Sequence, residues 1–426
     1  MRNRRLLSTV AWAGLVLVVA LAARSVWVAY APSNPMDGRP FNDPVFYYAS
    51  GVNIAHGIGY WFPFTDIATA YWPPGYPFLL AGLFWLFGAH VAIAWGANIA
   101  LGALTCVALY FIGRLILGKK GGIAAGLLLA VFPGHVFFSS LVLSEVTFTF
   151  LAVVATLLVL LASRRRGKTA VLLVVGLGIV IGAASLVRGQ GLFLIPLAAV
   201  FWWLRRCGWG RVARWTALAS VVAVAVIVPW TIRNYRTMGS FVFISTNEGG
   251  NLYVGNYEDA TGKMVIGAGD WASLRYAYLP PERQEVAVNN LLLREGLGYM
   301  FTHPGRELQL SGSKIRALWE DDEEALRGIP NHQAGESIPH GDQIADGANG
   351  FYFGALVVAA GGLLLWLRRP RSEMALPVLV VAVFTLGVLP FFADPRFHYP
   401  MLPSIALLAA GGLTAVFDRS VWRRLR

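Results

Sequence analysis

The stretch "YPFLLAGLFWLFG", residues 76–88, decides how the chain is laid out. It is apolar throughout but only 13 residues long. A helix needs about 20 apolar residues to cross the ~30 Å hydrocarbon core of a bilayer. Counted as a crossing, this run would move every later loop to the opposite side. Around it lie longer apolar runs at about 6–29, 90–113, 121–140, 146–162, 169–187, 190–204, 215–231, 351–367, 374–392 and 399–417.

Charge settles the count. Basic clusters occur at Arg2/Arg4/Arg5, Arg114/Lys119/Lys120, Arg164/Arg165/Arg166/Lys168, Arg205/Arg206/Arg211/Arg214, Arg368/Arg369/Arg371 and Arg419/Arg423/Arg424/Arg426. They fall at every second exit from the membrane only if residues 76–88 do not cross. Lys and Arg accumulate in cytoplasmic loops, so these six segments are expected inside. They hold 21 of the 35 basic residues and two acids, Glu373 and Asp418. The other face keeps 21 of the 23 acids. Residues 76–88 then read as a helix in the outer interface or re-entering the membrane.

The expected fold is therefore mainly α and polytopic, with about ten transmembrane helices and both termini cytoplasmic. Interfacial helices are expected in the first outer loop, and a small α+β segment outside. Residues 1–231 form an N-terminal transmembrane module with the outer loop 30–89. Residues 232–350 form an outer segment, and 351–426 the C-terminal transmembrane helices. The outer segment opens with strand-like "SFVFIST" and a glycine-rich "TNEGGNLYVGN" that reads as a hairpin. A helix is expected from Pro281. The acid run "EDDEE", 320–324, reads as a solvated face, and 325–349 as mobile. Ala20-Leu21-Ala22 resembles a signal-peptidase site, but its apolar run exceeds the 7–15 residues of a signal peptide. It is read as retained.

Composition excludes several classes. With 56% hydrophobic and 14% charged residues and a mean hydropathy of +0.57, the chain is no ordinary soluble domain. The net charge of +12 is a topology signal and not a nucleic-acid footprint. Two cysteines, Cys106 and Cys207, supply neither a disulfide framework nor a zinc spacing. The run Gly167–Thr169 lacks the upstream glycine of a phosphate loop, because position 162 is alanine.

Chemistry belongs with the acids, on the outer face. That face has no nucleotide sugars, so an enzyme there needs a substrate activated through the lipid. The sequence order is "NDPVFYYASGVNIAHGIGYW", "YWPPGYPFLLAGLFWLFG", "LVLSEVTFTFL", "LVRGQGLFLIPLAAVFWW", "PWTIRNYRTMGSFVFISTNEGGNLYVGN" and "DPRFHYPMLPSIALLAAGG". It resembles the membrane glycosyltransferases of the C-type fold, and more closely the bacterial family-39 protein-mannosyltransferase and aminoarabinose-transferase group. The resemblance runs from about residue 10 to 417. It implies inverting transfer of a sugar from a polyprenyl-phosphate donor to a lipid, glycan or protein acceptor, with no nucleic acid involved. The implied site is the outer face of a bacterial inner membrane.

On that resemblance Asp43 is the base that takes the acceptor proton. The residues alone also allow a helix cap before Pro44. Asp66 is the reserve candidate, in a more polar loop. Glu145, beside an apolar helix, is an acid in a place that is normally functional. In the family an acid here supports the active site, sometimes through a metal. A capping contribution with Ser144 is the plainer reading. No cofactor is assigned. A divalent metal would draw on Asp43, Glu145, His56 and His135, which form no metal motif. Arg188, Arg233 and Arg396 break the inside bias at outer helix ends. A guanidinium there can hold the donor phosphate as it gains charge. Snorkelling, or a local Asp394–Arg396 pair, is the alternative. Tyr71, Trp72 and His56 are the substrate-contact candidates, although "YWPPGYP" also reads as a stiff corner. Asn98 is expected to hydrogen-bond between helices. Two other functions compete. A ligase or polymerase of lipid-linked glycans would turn on arginines in the long outer loop. A transporter would show internal repeats, and none is evident.

Overall fold

Out of water a helix satisfies every backbone group within one segment, and the apolar runs fold accordingly. The computed structural model describes residues 2–37, 42–327, 338–368 and 372–417. Its helices are α1 (Arg2–Tyr30), α2 (Asp43–Ala55), α3 (Gly75–Phe87), α4 (Val91–Ala130), α5 (Pro133–Phe137), α6 (Glu145–Ser163), α7 (Gly167–Val187), α8 (Leu194–Leu204) and α9 (Trp209–Met238). Then come α10 (Glu248–Gly255), α11 (Asp270–Arg275), α12 (Pro281–Thr302), α13 (Pro304–Leu318), α14 (Glu324–Arg327), α15 (Gly341–Arg368), α16 (Ala375–Val388) and α17 (Leu402–Phe417).

Among the described residues six helices are long and apolar enough to cross a membrane: Leu7–Tyr30, Val91–Ala130, Glu145–Ser163, Gly167–Val187, Trp209–Met238 and Gly341–Leu364. Gly75–Phe87, Gly189–Leu204 and Ala375–Val388 are shorter apolar helices. One of the six is two legs. Gly118 sits at φ 85° inside α4, a conformation that favours glycine. Beyond it the chain doubles back, so that a Cβ on Gly113 would come within 2.9 Å of Gly122 and one on Gly126 within 3.1 Å of Tyr110. The small residues on either side of the turn let the legs touch.

The helix of 76–88 keeps its 13 residues. It buries Tyr76, Leu80 and Phe84 and exposes Phe78, Trp85, Leu86 and Phe87. Its start is pressed onto the end of α7, where a Cβ on Gly75 would lie 2.8 Å from the Leu186–Val187 backbone. Asn98 meets its expectation: Nδ2 donates to Leu141 O at 2.6 Å and Oδ1 accepts from Tyr76.

Two expectations for the outer segment are corrected. Among the described residues the only β pairings are isolated bridges, Trp61–Ala68 and Lys263–Ala393, so the α+β segment is not formed. The "TNEGGNLYVGN" stretch is helix α10 and not a hairpin. Its glycines serve close approach: a Cβ on Gly249 would overlap Asn289 O at 2.0 Å, and one on Gly255 would meet Phe391 at 2.4 Å. The acid run is not simply solvated either, since Asp321 and Asp322 are buried. Arg369, Arg371, the cluster from Arg419 onward, and residues 328–337 of the stretch read as mobile lie outside the described residues.

α6 sets the geometry that matters for function. Its first residue, Glu145, binds Arg188 at the end of α7. At its other end Arg164 binds Glu373 and the Leu115 carbonyl, and Arg205 also reaches Glu373. Nineteen residues separate the two ends, roughly 28 Å at 1.5 Å per residue, close to the thickness of a bilayer core. One end of the bundle thus gathers acids and arginines, and the other the basic loops.

Candidate active site

Asp43 opens α2, but it does not cap it. Asn42 is the cap, its side chain accepting from Val45 N at 3.0 Å. The Asp43 carboxylate is released for other partners. Oδ1 accepts from Trp72 Nε1 at 3.0 Å, and Oδ2 from Arg396 at 2.9 Å. Three residues singled out from sequence, spread from position 43 to 396, therefore meet. The carboxylate stays 29% exposed and the Arg396 side chain 26%, so the pair remains partly accessible.

Arg396 lies in a 3-10 turn, Pro395–Met401, capped by Asp394, whose side chain accepts from Arg396 N. The local pair with Asp394 exists as well, but more loosely, with Nε 3.8 Å from its carboxylate. The turn is anchored from below by His398. Its Nδ1 donates to Leu318 O at 3.0 Å and its Nε2 meets Asp322 at 3.1 Å. Asp322 also accepts from Gly134 N. Burial pushes the Asp322 carboxyl up, against the opposing pull of His398. Trp319 and Tyr352 stack on the His398 ring. None of this was legible in "EDDEE".

A second acid–arginine pair lies alongside. Glu145 Oε1 accepts from Arg188 at 2.7 Å, and Arg188 also reaches Ser144 Oγ at 3.2 Å. Tyr47, one turn along α2 from Asp43, donates to the same Ser144 at 3.4 Å. The serine does not cap α6 with its side chain; it joins Tyr47 of α2 to Arg188. Phe397 completes the link, because the guanidinium groups of Arg188 and Arg396 both pack on its ring, at 5.7 and 5.4 Å. Two cations are thus held beside one another with an acid on each.

The remaining candidates fall elsewhere. Trp72 stacks on Phe46 at 4.0 Å, and Tyr71 packs edge-on against Trp72 at 4.3 Å. Tyr71 therefore borders the site. Arg233 spends its donors on the first outer loop, giving hydrogen bonds to Thr69 O and Tyr60 O at 2.7 and 2.9 Å. It lies over Trp230 at 4.7 Å. Asp66 is exposed in the turn closed by Phe62 N and Ile67 O. His56 is exposed at the far end of α2, its ring bonded to Val52 O. His135 is buried, stacked on Tyr399 and bonded to Arg24.

The proposed metal set is therefore not assembled, and no three His, Cys, Asp or Glu among the described residues converge as ligands. Both Asp43 oxygens are taken, and Arg188 occupies Glu145 Oε1, leaving Oε2 alone without a partner among the described residues. Guanidinium groups stand where a cation would have to bind, so the residues do not fit one.

One anchor was missed in the sequence. Glu285 of α12 accepts from Thr69 Oγ1, Ala70 N and Thr246 Oγ1. It fixes the loop that enters Tyr71-Trp72 two residues later. Burial raises its carboxyl, opposed by these hydrogen bonds and by Arg233.

Residues 72–232 match the family described as dolichyl-phosphate-mannose-protein mannosyltransferase. No curated protein matches the chain. Among solved structures, the archaeal oligosaccharyltransferase from Archaeoglobus fulgidus in the apo form superposes with a TM-score of 0.60 at 18% identity, over 98% of this chain and 51% of that one. The same enzyme, AglB, in complex with an inhibitory peptide and a dolichol-phosphate gives 0.57 at 18%, over 97% and 51%. ArnT from Cupriavidus metallidurans bound to undecaprenyl phosphate gives 0.44 at 18%, over 95% and 78%. The chain spans about half the length of the oligosaccharyltransferase. The chain thus shares the fold of the archaeal oligosaccharyltransferase, and residues 72–232 match the mannosyltransferase family.

Proposed function

We propose that the chain is an inverting glycosyltransferase that moves a sugar from a polyprenyl-phosphate donor to an acceptor hydroxyl or amine outside the membrane. The observation that carries this reading is the Asp43 carboxylate, exposed at the rim and oriented by Trp72 and Arg396. The oligosaccharyltransferase that shares the fold was solved with a dolichol-phosphate and a peptide, which supports a lipid-phosphate donor and a separate acceptor.

In the proposed reaction the acceptor oxygen or nitrogen attacks the anomeric carbon. Its bond to that carbon forms as the bond from carbon to phosphate oxygen breaks. The acceptor proton passes to Asp43. The leaving phosphate gains negative charge and needs no acid, because the guanidinium groups of Arg396 and Arg188 stabilise it. Glu145 orients Arg188 and balances its charge. One base on the acceptor side and the phosphate on the other make the transfer inverting.

The two ends of α6 support the sidedness. Basic residues accumulate inside, so the end with Arg164 and Arg205 is cytoplasmic and the Asp43 end faces out. Ten spans with residues 76–88 not crossing, both termini inside and a bacterial inner membrane complete the proposal. A cysteine introduced at Lys120 should be protected from an impermeant thiol reagent added outside, and one at Asp66 should react. External labelling at 120 would overturn the sidedness. The function is tested with purified chain in liposomes carrying undecaprenyl- or dolichyl-phosphate sugars. Free polyprenyl phosphate and an inverted product are expected. Failure to bind any polyprenyl phosphate would remove the donor from the reading.

A further inference from the structure

Away from the Asp43 centre, a cleft of about 350 Å³ opens between α10 and α12. Tyr253, Tyr257 and Glu258 form one wall. Glu295, Gly298 and Tyr299 form the other, at spacings that put them on one face of α12. Glycines shape the opening. At Gly296 the helices touch, since a Cβ there would meet Leu252 at 2.2 Å. At Gly298 a Cβ would meet nothing within 4 Å. A glycine weakens an exposed helix relative to alanine; here it leaves room.

The rings are held by neighbours. Tyr253 and Tyr257 stack at 5.3 Å, and Tyr299 stacks on His303 at 4.3 Å. All three are half-buried, whereas Glu258 and Glu295 are exposed. Burial pushes the Tyr257 phenol up and the charge of Asp259 adds to it, so its hydroxyl keeps its proton and can both give and accept.

We propose that this cleft binds neutral carbohydrate, as the glycan part of the acceptor. Naming it acceptor rests on the transferase reading; the binding itself does not. The walls offer flat apolar ring faces with polar tips, matching a ligand with C–H faces and a rim of hydroxyls. The two carboxylates accept charge-assisted hydrogen bonds from those hydroxyls. They are poor at holding a cation, because water screens the attraction of exposed charges. They disfavour anions, and the bases nearby have other partners: Lys314 is buried and shared between Asn256, Leu389 O and Glu307, Arg306 donates to Ala260 O, and His303 bonds Thr302. A chain of contacts joins the floor to the proposed reaction centre. Asn256 donates to Pro390 O at 2.6 Å, and two residues on Phe392 packs on Phe397 at 5.4 Å, the ring that carries Arg188 and Arg396.

The test is calorimetric titration of the full chain in lipid nanodiscs, without donor. Probes are cellotriose and N-acetylated chitotriose (neutral), deacetylated chitotriose (cationic) and trigalacturonate (anionic). A neutral trisaccharide should bind, and trigalacturonate should bind about tenfold or more weakly, about 1.4 kcal/mol. Gly298→Trp, which fills the open space, should abolish binding. Glu258→Gln with Glu295→Gln should weaken neutral binding and shrink the discrimination against the anion. The proposal is overturned if no neutral trisaccharide binds, if Gly298→Trp binds normally, or if deacetylated chitotriose binds about tenfold tighter than its acetylated form. Sugar binding with no transfer from any polyprenyl-phosphate donor would strike the transferase reading alone.

Discussion

The chain holds two acid–arginine pairs at one end of its bundle, and they differ in exposure. The Glu145 side chain is 2% exposed and Arg188 18%, whereas Asp43 is 29% exposed and Arg396 26%. A buried carboxylate locked to its arginine cannot meet a diffusing acceptor, so in the proposed reaction Glu145 is an electrostatic support. An exposed one whose oxygens are oriented by a tryptophan and an arginine can collect a proton. On the proposed reaction, the same pairing at two depths divides the work between holding charge and moving a proton.

The largest stability effect should come from the buried pair. Breaking such a pair leaves an uncompensated charge, at a cost of about 3–5 kcal/mol. Glu145→Ala should therefore lower the unfolding temperature in detergent sharply, while Asp43→Asn should shift it by ~1 kcal/mol or less, as for exposed pairs. Equal shifts would erase the distinction. Next in size, Arg396→Ala should weaken polyprenyl-phosphate binding by ~10-fold or more, since hydrogen bonds to charged groups contribute about 1.5–3 kcal/mol. Arg396→Lys should recover only part, a point charge replacing a fork. Normal affinity in Arg396→Ala would reduce its role to orienting Asp43. Chelation should have a smaller effect still. With Arg396 on Asp43 and Arg188 on Glu145, transfer assayed in excess EDTA should stay within about twofold, on the scale where tenfold is 1.36 kcal/mol. A large loss restored by one divalent ion would mean that the arginines give way to a metal.

The smallest effect concerns Glu285, whose carboxyl is raised by burial, against the pull of its hydrogen bonds and Arg233. The folded state then holds its proton to higher pH than the unfolded chain. Its contribution is most favourable below the unfolded value and declines as pH rises through the folded one. Glu285→Gln keeps the acceptor for Ala70 and Thr246 and loses this decline. The stability difference between variant and wild type should move in the variant's favour from pH 4 upward. A flat difference would mean that no such shift exists.

Much of the centre was readable in sequence because its residues sit at breaks of pattern. Asp43 follows an apolar run, Glu145 interrupts "LVLSEV", and Arg188 and Arg396 stand on the face poor in base. What joins them was not readable. The Trp72 and Arg396 bonds to Asp43 span up to 353 residues, and nothing local encodes them. Glu285 looked like one more acid in a polar helix. Its role depends on a loop more than 200 positions away. Arg24, at the end of an apolar run where snorkelling is the natural reading, is fully buried and reaches Ala20 O, Ala130 O and His135. The glycines of α10 imitate a turn because close helix packing and tight turns ask for the same residue.

The most direct test of the central claim is single-turnover transfer by purified Asp43→Asn with a polyprenyl-phosphate sugar, read beside donor binding and thermal unfolding. Asparagine keeps the size and the bond from Trp72 but cannot take a proton. The account predicts near-normal unfolding and retained donor binding, with transfer lower by about 100-fold or more, the scale for losing a positioned base. Transfer at a near-normal rate would contradict it and leave the Asp43–Arg396 pair as a structural contact.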